Sequence, residues 1–342
     1  MEGLGLDRSF WSGRRVLLTG HTGFKGGWLA LWLASLGAEV TGFSMPPSTA
    51  PSLFELARVG DDVRTAGGDV RDRAAVARAF EAAAPEVVLH LAAQPLVRAS
   101  YEDPVATYDV NVMGTANVLD AARVRAGSEP LHSVVVVTSD KCYLNPERDK
   151  PFVEGDPLGG HDPYSSSKAA AELVAAAYRD SYGLPIATGR AGNVIGGGDF
   201  SPDRLVPDAM RAVAAGRPLR MRNPDAIRPW QHVLCSLHGY ALLAQRAERG
   251  PWNFGPDVEE ARPVRWVAER LGVDWEADHG DHPHEAHFLK LDSAKAHTQL
   301  GWSPRWDLEQ GLDATAQWYA AHREGGDVRQ VLLDQIEAYG GS

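Results

Sequence analysis

The chain has 342 residues, a formal net charge of -11 at pH 7 and a pI of about 5.5. Hydrophobic residues make up 44% and charged residues 23% of it, which is typical of a globular enzyme. The net negative charge argues against a nucleic-acid partner, and no apolar run reaches the roughly 18 residues of a membrane span. Two cysteines are too few for a disulfide framework, and the N-terminus lacks the apolar stretch of a signal peptide, so we expect a cytoplasmic protein without a membrane partner.

The first predicted unit is a strand, a glycine-rich turn and a helix. Residues 14–19 are a short apolar run that predicts a buried parallel strand. Gly20, Gly23 and Gly26 follow in the spacing GxxGxxG, and an apolar helix comes next. Glycines let the backbone approach a pyrophosphate, and a helix N-terminus offers free N–H groups and a partial positive charge. The unit therefore predicts a dinucleotide site, with a tight turn that binds no ligand as the alternative.

Strands and helices then alternate for about 190 residues, which predicts an α/β fold with a doubly wound parallel sheet of the Rossmann type. The strands are expected at residues 39–43, 63–66, 87–91, 133–138 and from 185, and the helices at 71–84, 103–125 and 164–182. Beyond Asn193 prolines and glycines separate shorter elements, with helices expected at residues 233–247, 264–271, 307–321 and 327–339.

The shorter, less regular elements after residue 190 predict a second domain. We expect a cofactor-binding Rossmann domain over residues 1–190, to which later strands and helices near 230–255 return. Residues 191–342 are expected to form mainly a smaller, mixed α/β substrate-binding lobe, interleaved with the first domain. The lobe should cover the carboxyl edge of the sheet, where ligands of such folds bind.

A tyrosine and a lysine lie four residues apart in the predicted helix 164–182. Tyr164 and Lys168 share one helix face, because one turn takes about 3.6 residues. The ammonium group is expected to lower the pKa of the tyrosine from about 10 toward neutrality. Such a phenol can take a proton from an alcohol while a nicotinamide takes the hydride. With the glycine turn, the pair predicts redox chemistry on a secondary alcohol, although the same spacing also occurs by chance in helices with a solvated lysine.

Polar residues come directly after the buried strand that ends at Thr138. Ser139, Asp140 and Lys141 are thereby placed at the carboxyl end of the sheet, where side chains serve chemistry more often than packing. Ser139 can hydrogen-bond a substrate alcohol beside Tyr164. Asp140 and Lys141 are candidates for an acid–base pair, and a turn with a local ion pair is the alternative.

These residues resemble those of the extended short-chain dehydrogenases/reductases that act on nucleotide sugars, as seen in residues 20–26, Asp69, Val70, residues 91–94, Ser139, Tyr164 and Lys168. More narrowly, the sequence is similar to the CDP-glucose 4,6-dehydratase branch of the sugar-nucleotide dehydratases. That likeness is carried by residues 20–26 (GHTGFKG), 139–143 (SDKCY) and 222–233 (RNPDAIRPWQHV), and the overall resemblance runs from about Phe10 to about Ala321.

The resemblance implies a redox-neutral lyase reaction that converts CDP-D-glucose into CDP-4-dehydro-6-deoxy-D-glucose with tightly used NAD. It implies that Tyr164, assisted by Lys168 and Ser139, takes the proton of the C4 hydroxyl while NAD takes the C4 hydride. The C4 ketone acidifies the C5–H, and Asp140 protonates the departing C6 hydroxyl, which requires that burial raise the pKa of this acid. Lys141 is either the C5 base or a cation that stabilises the enolate, and the hydride finally returns to C6.

The resemblance also implies the binding residues. The cofactor residues are Gly20, Gly23, Phe24, Gly26, Asp69, Val70, Leu91, Ala92, Ala93, Tyr164 and Lys168. The substrate residues are Gln94, Asn193, Arg204 and Arg228. Residues 41–45, after the second strand, contain neither an acid nor an arginine, so NAD rather than NADP is expected, and it is expected to bind less tightly than usual.

No metal is expected. The histidine cluster His279, His282, His284 and His287 is interpreted as a solvated loop, because its proline and glycine leave no fixed helical face. We interpret Cys142 as a packing thiol rather than a nucleophile.

Two alternatives to a dehydratase stay open. A 4-epimerase would share the serine, tyrosine and lysine but needs no elimination acid, so the Asp140–Lys141 pair argues against it. A non-catalytic NAD-binding scaffold would need none of these groups. As a further partner, the resemblance implies a second copy of the chain, with the helices 103–125 and 164–182 of both copies in a four-helix bundle.

Overall fold

The computed structural model describes residues 5–147, 149–280 and 288–341 of the chain. Its strands are β1 (Arg15–Thr19), β2 (Glu39–Ser44), β3 (Arg64–Gly67), β4 (Val87–His90), β5 (Ser133–Val137), β6 (Ile186–Ala191), β7 (Val194–Ile195), β8 (Leu219–Met221), β9 (Ile227–Arg228), β10 (Gln231–His232), β11 (Gly250–Phe254), β12 (Arg262–Pro263) and β13 (Trp275–Ala277). Its helices are α1 (Arg8–Trp11), α2 (Phe24–Ser35), α3 (Leu53–Leu56), α4 (Arg73–Ala83), α5 (Val97–Glu102), α6 (Pro104–Tyr108), α7 (Gly114–Ala126), α8 (Pro163–Tyr182), α9 (Leu205–Ala214), α10 (Val233–Arg246), α11 (Val264–Arg270), α12 (Leu308–Arg323) and α13 (Val328–Gly340).

The central sheet confirms the predicted doubly wound fold of the Rossmann type. It has seven parallel strands in the order β11-β6-β5-β4-β1-β2-β3. The chain winds outward from β1 in one direction through β2 and β3, and in the other from β4 onward. The strand order therefore reverses between β1 and β4, which pair with Thr19 opposite His90. Such a switch point opens a crevice at the carboxyl ends of the two strands.

Both faces of the sheet are covered, as expected for parallel strands that read as continuous apolar runs. Alternate residues of β1 enter opposite cores, because side chains along a strand alternate between its two faces. Val16 and Leu18 pack in the core that includes α2 and α10. Leu17 packs in the core that includes α4 and α7. Every residue of β4 and β5 is buried.

The two helices of the predicted dimer contact differ slightly from their predicted bounds. The helix predicted at residues 103–125 starts at Pro104, continues through a π-helical turn at Asp109–Met113 and ends at Ala126. Helix α8 starts at Pro163, one residue before the predicted start, because the Asp162 side chain accepts a hydrogen bond from the backbone N–H of Ser165 and proline fits the first helical position.

The second half of the chain both returns to the sheet and builds elements outside it. Strand β11 pairs with β6, and α10 packs against the sheet in the core that contains Trp28. Outside the sheet, the other six strands after β6 form three two-stranded pairs among the described residues, β10 with β7, β12 with β9 and β13 with β8. The division near residue 190 stays a prediction. Over the part of the chain that the structure describes, no helix has the length and apolar character needed to cross a membrane.

Candidate active site

A cavity of about 620 Å³ lies at the carboxyl end of the sheet, between the switch point and the residues of α9 and β8. Nearly all of the residues predicted from the sequence meet in its wall. They are Gly20, Gly23, Phe24, Gly26, Asp69, Val70, Leu91, Ala92, Ala93, Ser139, Asp140, Lys141, Tyr164, Lys168, Asn193, Arg204 and Arg228. The volume falls in the range of small-molecule and cofactor sites.

The glycine turn after β1 is shaped by two close backbone approaches. Gly20 has a φ of +81°, and a Cβ atom there would lie 2.7 Å from the backbone nitrogen of Ala92. A Cβ atom on Gly26 would lie 2.0 Å from the carbonyl oxygen of Gly20. Gly23 is the N-cap of α2 and provides no side-chain cap, so the first-turn N–H groups stay open to an anion. This cradle fits the pyrophosphate of a dinucleotide.

Groups suited to the adenosine half of a dinucleotide lie beyond the turn. Ser44, the last residue of β2, lines the cavity, and its buried hydroxyl has no hydrogen-bond partner among the described residues. The Arg71 guanidinium donates hydrogen bonds of 2.6 and 2.9 Å to Oδ2 of Asp69 and lowers the pKa of that carboxyl. The orphaned hydroxyl and the ionised carboxylate offer hydrogen bonds that a ribose or an adenine amine can complete.

Tyr164 and Lys168 both line the cavity and lie about one helical turn apart on α8, but the expected lowering of the tyrosine pKa is wrong for the protein alone. Burial raises the pKa of Tyr164 to about 12 and outweighs the opposing effects of a hydrogen bond with Ser139 and the charge of Arg204. Burial also lowers the pKa of Lys168 to about 8. The lysine Nζ donates to the carbonyl oxygen of Val137 at 3.3 Å, at the end of β5. Sequence spacing places the two groups together, but their desolvation depends on the folded chain.

Asp140 has the properties required of a proton donor. Its side chain is 3% exposed, and burial raises the pKa of the carboxyl despite the opposing charge of Lys141. The hydroxyl of Ser139 donates to Oδ1 at 2.9 Å, whereas Oδ2 is buried and has no hydrogen-bond partner among the described residues. A carboxyl with one unpartnered oxygen in a cavity wall can hold a proton and give it to a substrate oxygen.

The turn that carries Asp140 is fixed locally. Ser139 accepts a hydrogen bond of 3.1 Å from the backbone N–H of Lys141 and so caps the short 3₁₀ turn Asp140–Cys142. The Lys141 side chain is half-buried and lines the same cavity as the acid. Cys142 is fully buried, and burial raises the pKa of its thiol well above the usual value, which agrees with a packing role.

Cationic side chains line the part of the cavity farther from the glycine turn. Arg228 is 5% exposed, and Arg204 and Arg222 lie in the same wall. Arg204 lies 3.9 Å from Asp199 Oδ2, and its buried Nε has no hydrogen-bond partner among the described residues. Guanidinium groups suit the oxygen atoms of a diphosphate. Asn193 lies in this wall as well.

Gln94 is placed differently from the other predicted residues. It does not line the cavity. Its side-chain amide donates to the carbonyl oxygen of Leu96 at 3.0 Å and to Thr107 Oγ1 at 2.9 Å, and its Oε1 accepts from the Leu96 N–H. These three hydrogen bonds to the protein direct the side-chain amide away from the cavity and stabilise the loop after β4.

Sequence reasoning assigned no role to Lys25, which lies inside the glycine turn. Its side chain lines the cavity, with Nζ 5.8 Å from the ring centroid of Tyr240. Burial lowers its pKa to about 7, and the nearby charges of Arg204 and Lys168 add to that effect. A lysine between two glycines of the predicted dinucleotide turn, Gly23 and Gly26, is the signal that could have identified it.

His282, His284 and His287 lie outside the described residues. In the part of the chain that is described, no group of three or more histidine, cysteine or acidic side chains is arranged to hold a metal ion. The expectation of a metal-free site stays a prediction.

Comparisons with known proteins agree with this geometry. The family model for GDP-mannose 4,6-dehydratase matches residues 17–315. The chain is 46% identical to the CDP-glucose 4,6-dehydratase of Salmonella typhimurium, over 98% of both chains. Among solved structures it is similar to the dTDP-glucose 4,6-dehydratase DesIV of Streptomyces venezuelae with NAD bound, at a TM-score of 0.80, 26% identity and coverage of 92% of this chain and 99% of that chain. It is also similar to the UDP-glucose 4-epimerase of Thermus thermophilus in complex with NAD, at a TM-score of 0.77, 26% identity and coverage of 90% and 99%.

The close approach of Gly192 to the acid gives a first prediction. A Cβ atom at this position would lie 2.9 Å from Asp140 Oδ2 and 2.5 Å from Cγ of Pro229. Gly192→Ala should therefore lower the free energy of unfolding by roughly 1–3 kcal/mol through overpacking, as measured by chemical denaturation. Gly155→Ala is the control, because a Cβ atom there meets no heavy atom within 4 Å. Equal stability of the two variants would contradict the prediction.

Proposed function

The chain belongs to the GDP-mannose 4,6-dehydratase family, and from that premise we propose that it is an NAD-dependent hydro-lyase that converts CDP-D-glucose into CDP-4-dehydro-6-deoxy-D-glucose. The observation that carries this proposal is the buried carboxyl of Asp140, with its raised pKa and unpartnered Oδ2, in the same cavity as Tyr164 and Lys168. A dehydration needs both a redox pair and an acid for the departing hydroxyl. An epimerisation needs the redox pair alone.

NAD fits the residues that are present. Gly20, Gly23 and Gly26 leave room for the pyrophosphate at the N-terminus of α2, and Ser44 and Asp69 offer polar groups to the adenosine. The segment after β2 contributes no arginine for a 2′-phosphate. When bound, NAD supplies the acceptor for the C4 hydride and the donor of a hydride to C6.

Tyr164 is the group that accepts the proton of the C4 hydroxyl. Because burial raises its pKa to about 12, the side chain is a neutral phenol in the resting protein, and it has to release its own proton to the solvent before it can accept that of the C4 hydroxyl. The hydrogen bond with Ser139 and the positive charge of Arg204 favour the phenolate that proton transfer requires. Lys168 keeps its Nζ beside the end of β5 and adds a cation to the same wall.

Asp140 and Lys141 then act on C6 and C5. The raised pKa favours the protonated form of Asp140, which gives its proton to the C6 hydroxyl as the C5–C6 double bond forms. We assign Lys141 a direct part in this elimination, either as the base for the C5 proton or as the cation beside the enolate. Its half-buried position in the wall of the cavity supports either role.

The preference for a cytidine nucleotide rests on the relative that is 46% identical over nearly the whole chain. We assign Arg228, Arg204 and Asn193 to the diphosphate, because they line the cavity on the lobe side and offer cationic and amide donors. Gln94 stays a predicted substrate residue, although its amide is bonded to the protein.

We also propose a homodimer and a cytoplasmic location. Large apolar side chains are 40–76% exposed on the helices from α5 to α8: Tyr101, Val105, Tyr108, Met113, Val124, Leu173 and Tyr182. A second copy of the chain packed against them in a four-helix bundle would bury this patch. The two buried free thiols, Cys142 and Cys235, favour a reducing compartment.

The activity is tested with NAD and, separately, with CDP-, UDP-, dTDP- and GDP-glucose, with the products followed by mass spectrometry. We expect loss of one water from the CDP sugar. Asp140→Asn should keep NAD reduction and slow dehydration by about 10²- to 10⁴-fold, because the proton donor is removed. The exposed Asp61→Asn is the control. A product of unchanged mass would instead indicate an epimerase, and dehydration at the full rate in Asp140→Asn would remove that residue from the mechanism.

A second variant tests the base. Lys141→Met should retain NAD binding, measured by quenching of protein fluorescence, and lose dehydration, measured by the same mass assay. The reason is that methionine keeps much of the side-chain volume but can neither accept a proton nor carry charge. Lys150→Met, at an exposed lysine, serves as the control. Full dehydration activity in Lys141→Met would exclude a direct role for this side chain.

The dimer proposal has its own test. Leu173→Glu places a charge on an α8 side chain that is 62% exposed and is expected to convert the dimer to a monomer, as measured by size-exclusion chromatography with light scattering. The matched control is Val213→Glu on α9, where the side chain is 41% exposed outside the proposed bundle. A dimer that persists in Leu173→Glu, or a wild-type monomer, would contradict the four-helix arrangement.

A further inference from the structure

A buried ion pair lies behind the cavity, on the side of α8 that faces the sheet. The carboxylate of Glu172 accepts hydrogen bonds from Arg190 Nη2 at 2.7 Å and from Thr188 Oγ1 at 2.7 Å. Both charged side chains are only 3% exposed. Taking two charges out of water is costly, and an apolar pair of similar volume is often no less stable. A contribution to folding is therefore a weak reason for this pair, and its position suggests a role in the site.

The Glu172 carboxylate joins the two halves of the candidate active site. It follows Lys168 by one helical turn on the same face of α8, on which Tyr164 also lies. Its Oε1 accepts a hydrogen bond of 2.5 Å from Thr138 Oγ1. Thr138 directly precedes Ser139, so one carboxylate contacts both the helix of the redox pair and the turn of the acid.

The guanidinium of Arg190 extends the network away from the cavity. Its Nη1 donates to the hydroxyl of Tyr143 at 2.8 Å, and that hydroxyl donates to Asn253 Oδ1 at 2.7 Å. The chain of contacts thus runs from α8 through β6 to β11 and leaves the carboxylate little freedom to move. A fixed negative charge is thereby held close to Lys168.

We propose that Glu172 is a positioning residue that, balanced by Arg190, sets the pH range over which Lys168 carries the positive charge used in C4 oxidation. This inference rests on the proposed dehydratase activity and names a regulator of its first step. Glu172 does not line the main cavity and acts through the lysine.

The charged groups around Lys168 determine the direction in which its pKa should shift when Glu172 or Arg190 is replaced. Groups that interact with it electrostatically are Lys25 from α2, His90 from β4, Cys142 after β5 and Glu172 from α8 itself. Burial keeps His90 and Cys142 uncharged near neutral pH, by lowering the pKa of the imidazole to about 3 and raising that of the thiol. Burial lowers the pKa of Lys168, and Cys142 and Glu172 oppose that effect; because the buried thiol is uncharged near neutral pH, Glu172 is the anion of this set at that pH.

Opposite substitutions in the pair should therefore shift Lys168 in opposite directions. Glu172→Gln removes the anion that raises the pKa of Lys168, so Lys168 should lose its proton at a lower pH. Arg190→Gln removes the cation that pairs with the Glu172 carboxylate at 2.7 Å, so the effect of that carboxylate on Lys168 should increase and Lys168 should keep its proton to a higher pH. The double variant removes both charges and should return the titration close to that of the unaltered enzyme. Each single shift is expected to be about one pH unit.

The titration can be read directly on the full chain. Competitive labelling with acetic anhydride across a pH series, followed by peptide mass mapping, gives the pH at which half of Lys168 becomes a reactive neutral amine. NADH formation from CDP-glucose in an Asp140→Asn background gives the alkaline limit of C4 oxidation on the same variants. We expect both midpoints to move down in Glu172→Gln and up in Arg190→Gln.

Thr188→Val is the matched control, because it removes one hydrogen bond to Glu172 and leaves the charge. Glu172→Asp keeps the carboxylate and should therefore keep the midpoint of the Lys168 titration. If Glu172→Gln does not fold, Glu172→Asp is compared with Arg190→Gln and with the double variant instead. Midpoints that do not move, or that move the same way in both single variants and in Thr188→Val, would reduce Glu172 to a structural residue. Absence of NADH with every nucleotide sugar would instead overturn the proposed function, while the labelling midpoints would still test the charge coupling.

Discussion

The chemistry of this protein depends on the burial of ionisable side chains where the parallel strands end. Burial raises the pKa of Asp140 and of Tyr164 and lowers that of Lys168, so each group is displaced toward its uncharged form. The same physical cause therefore gives one carboxyl the character of an acid and leaves the phenol protonated at rest. Because these groups are buried, the remaining charges and hydrogen bonds have a large influence on each of them.

Close approaches at two glycines contribute to that burial. Gly20 lies against the backbone of Ala92 after β4, and Gly192 lies against Asp140 and Pro229. Any side chain at either position would push apart two segments that follow neighbouring strands. The reversal of strand order between β1 and β4 creates the crevice, and the glycines allow its walls to approach each other.

A buried ion pair lies behind the wall of the cavity. The Glu172–Arg190 pair holds α8 against β6, and through Thr138 it also contacts the segment that carries Ser139 and Asp140. The ion pair thus contacts both the helix of Tyr164 and Lys168, to which we assign the hydride step, and the segment of Ser139 and Asp140, to which we assign the loss of the hydroxyl. In a reaction whose first and last steps occur at different carbons of one sugar, both sets of side chains have to act on a single bound substrate without rearrangement of the scaffold.

The sequence by itself determined the doubly wound fold and identified a set of site residues that, apart from Gln94, all lie in the cavity wall. Local patterns suffice for this, since an apolar run followed by a glycine turn or by Ser139, Asp140 and Lys141 places polar groups at one edge of any parallel sheet. Only the tertiary structure decided the raised pKa of Tyr164, the bonded state of the Gln94 amide and the pairing of Glu172 with Arg190. The physical reason is that desolvation and ion pairing depend on which distant segments exclude water from a group, and spacing along the chain does not contain that information.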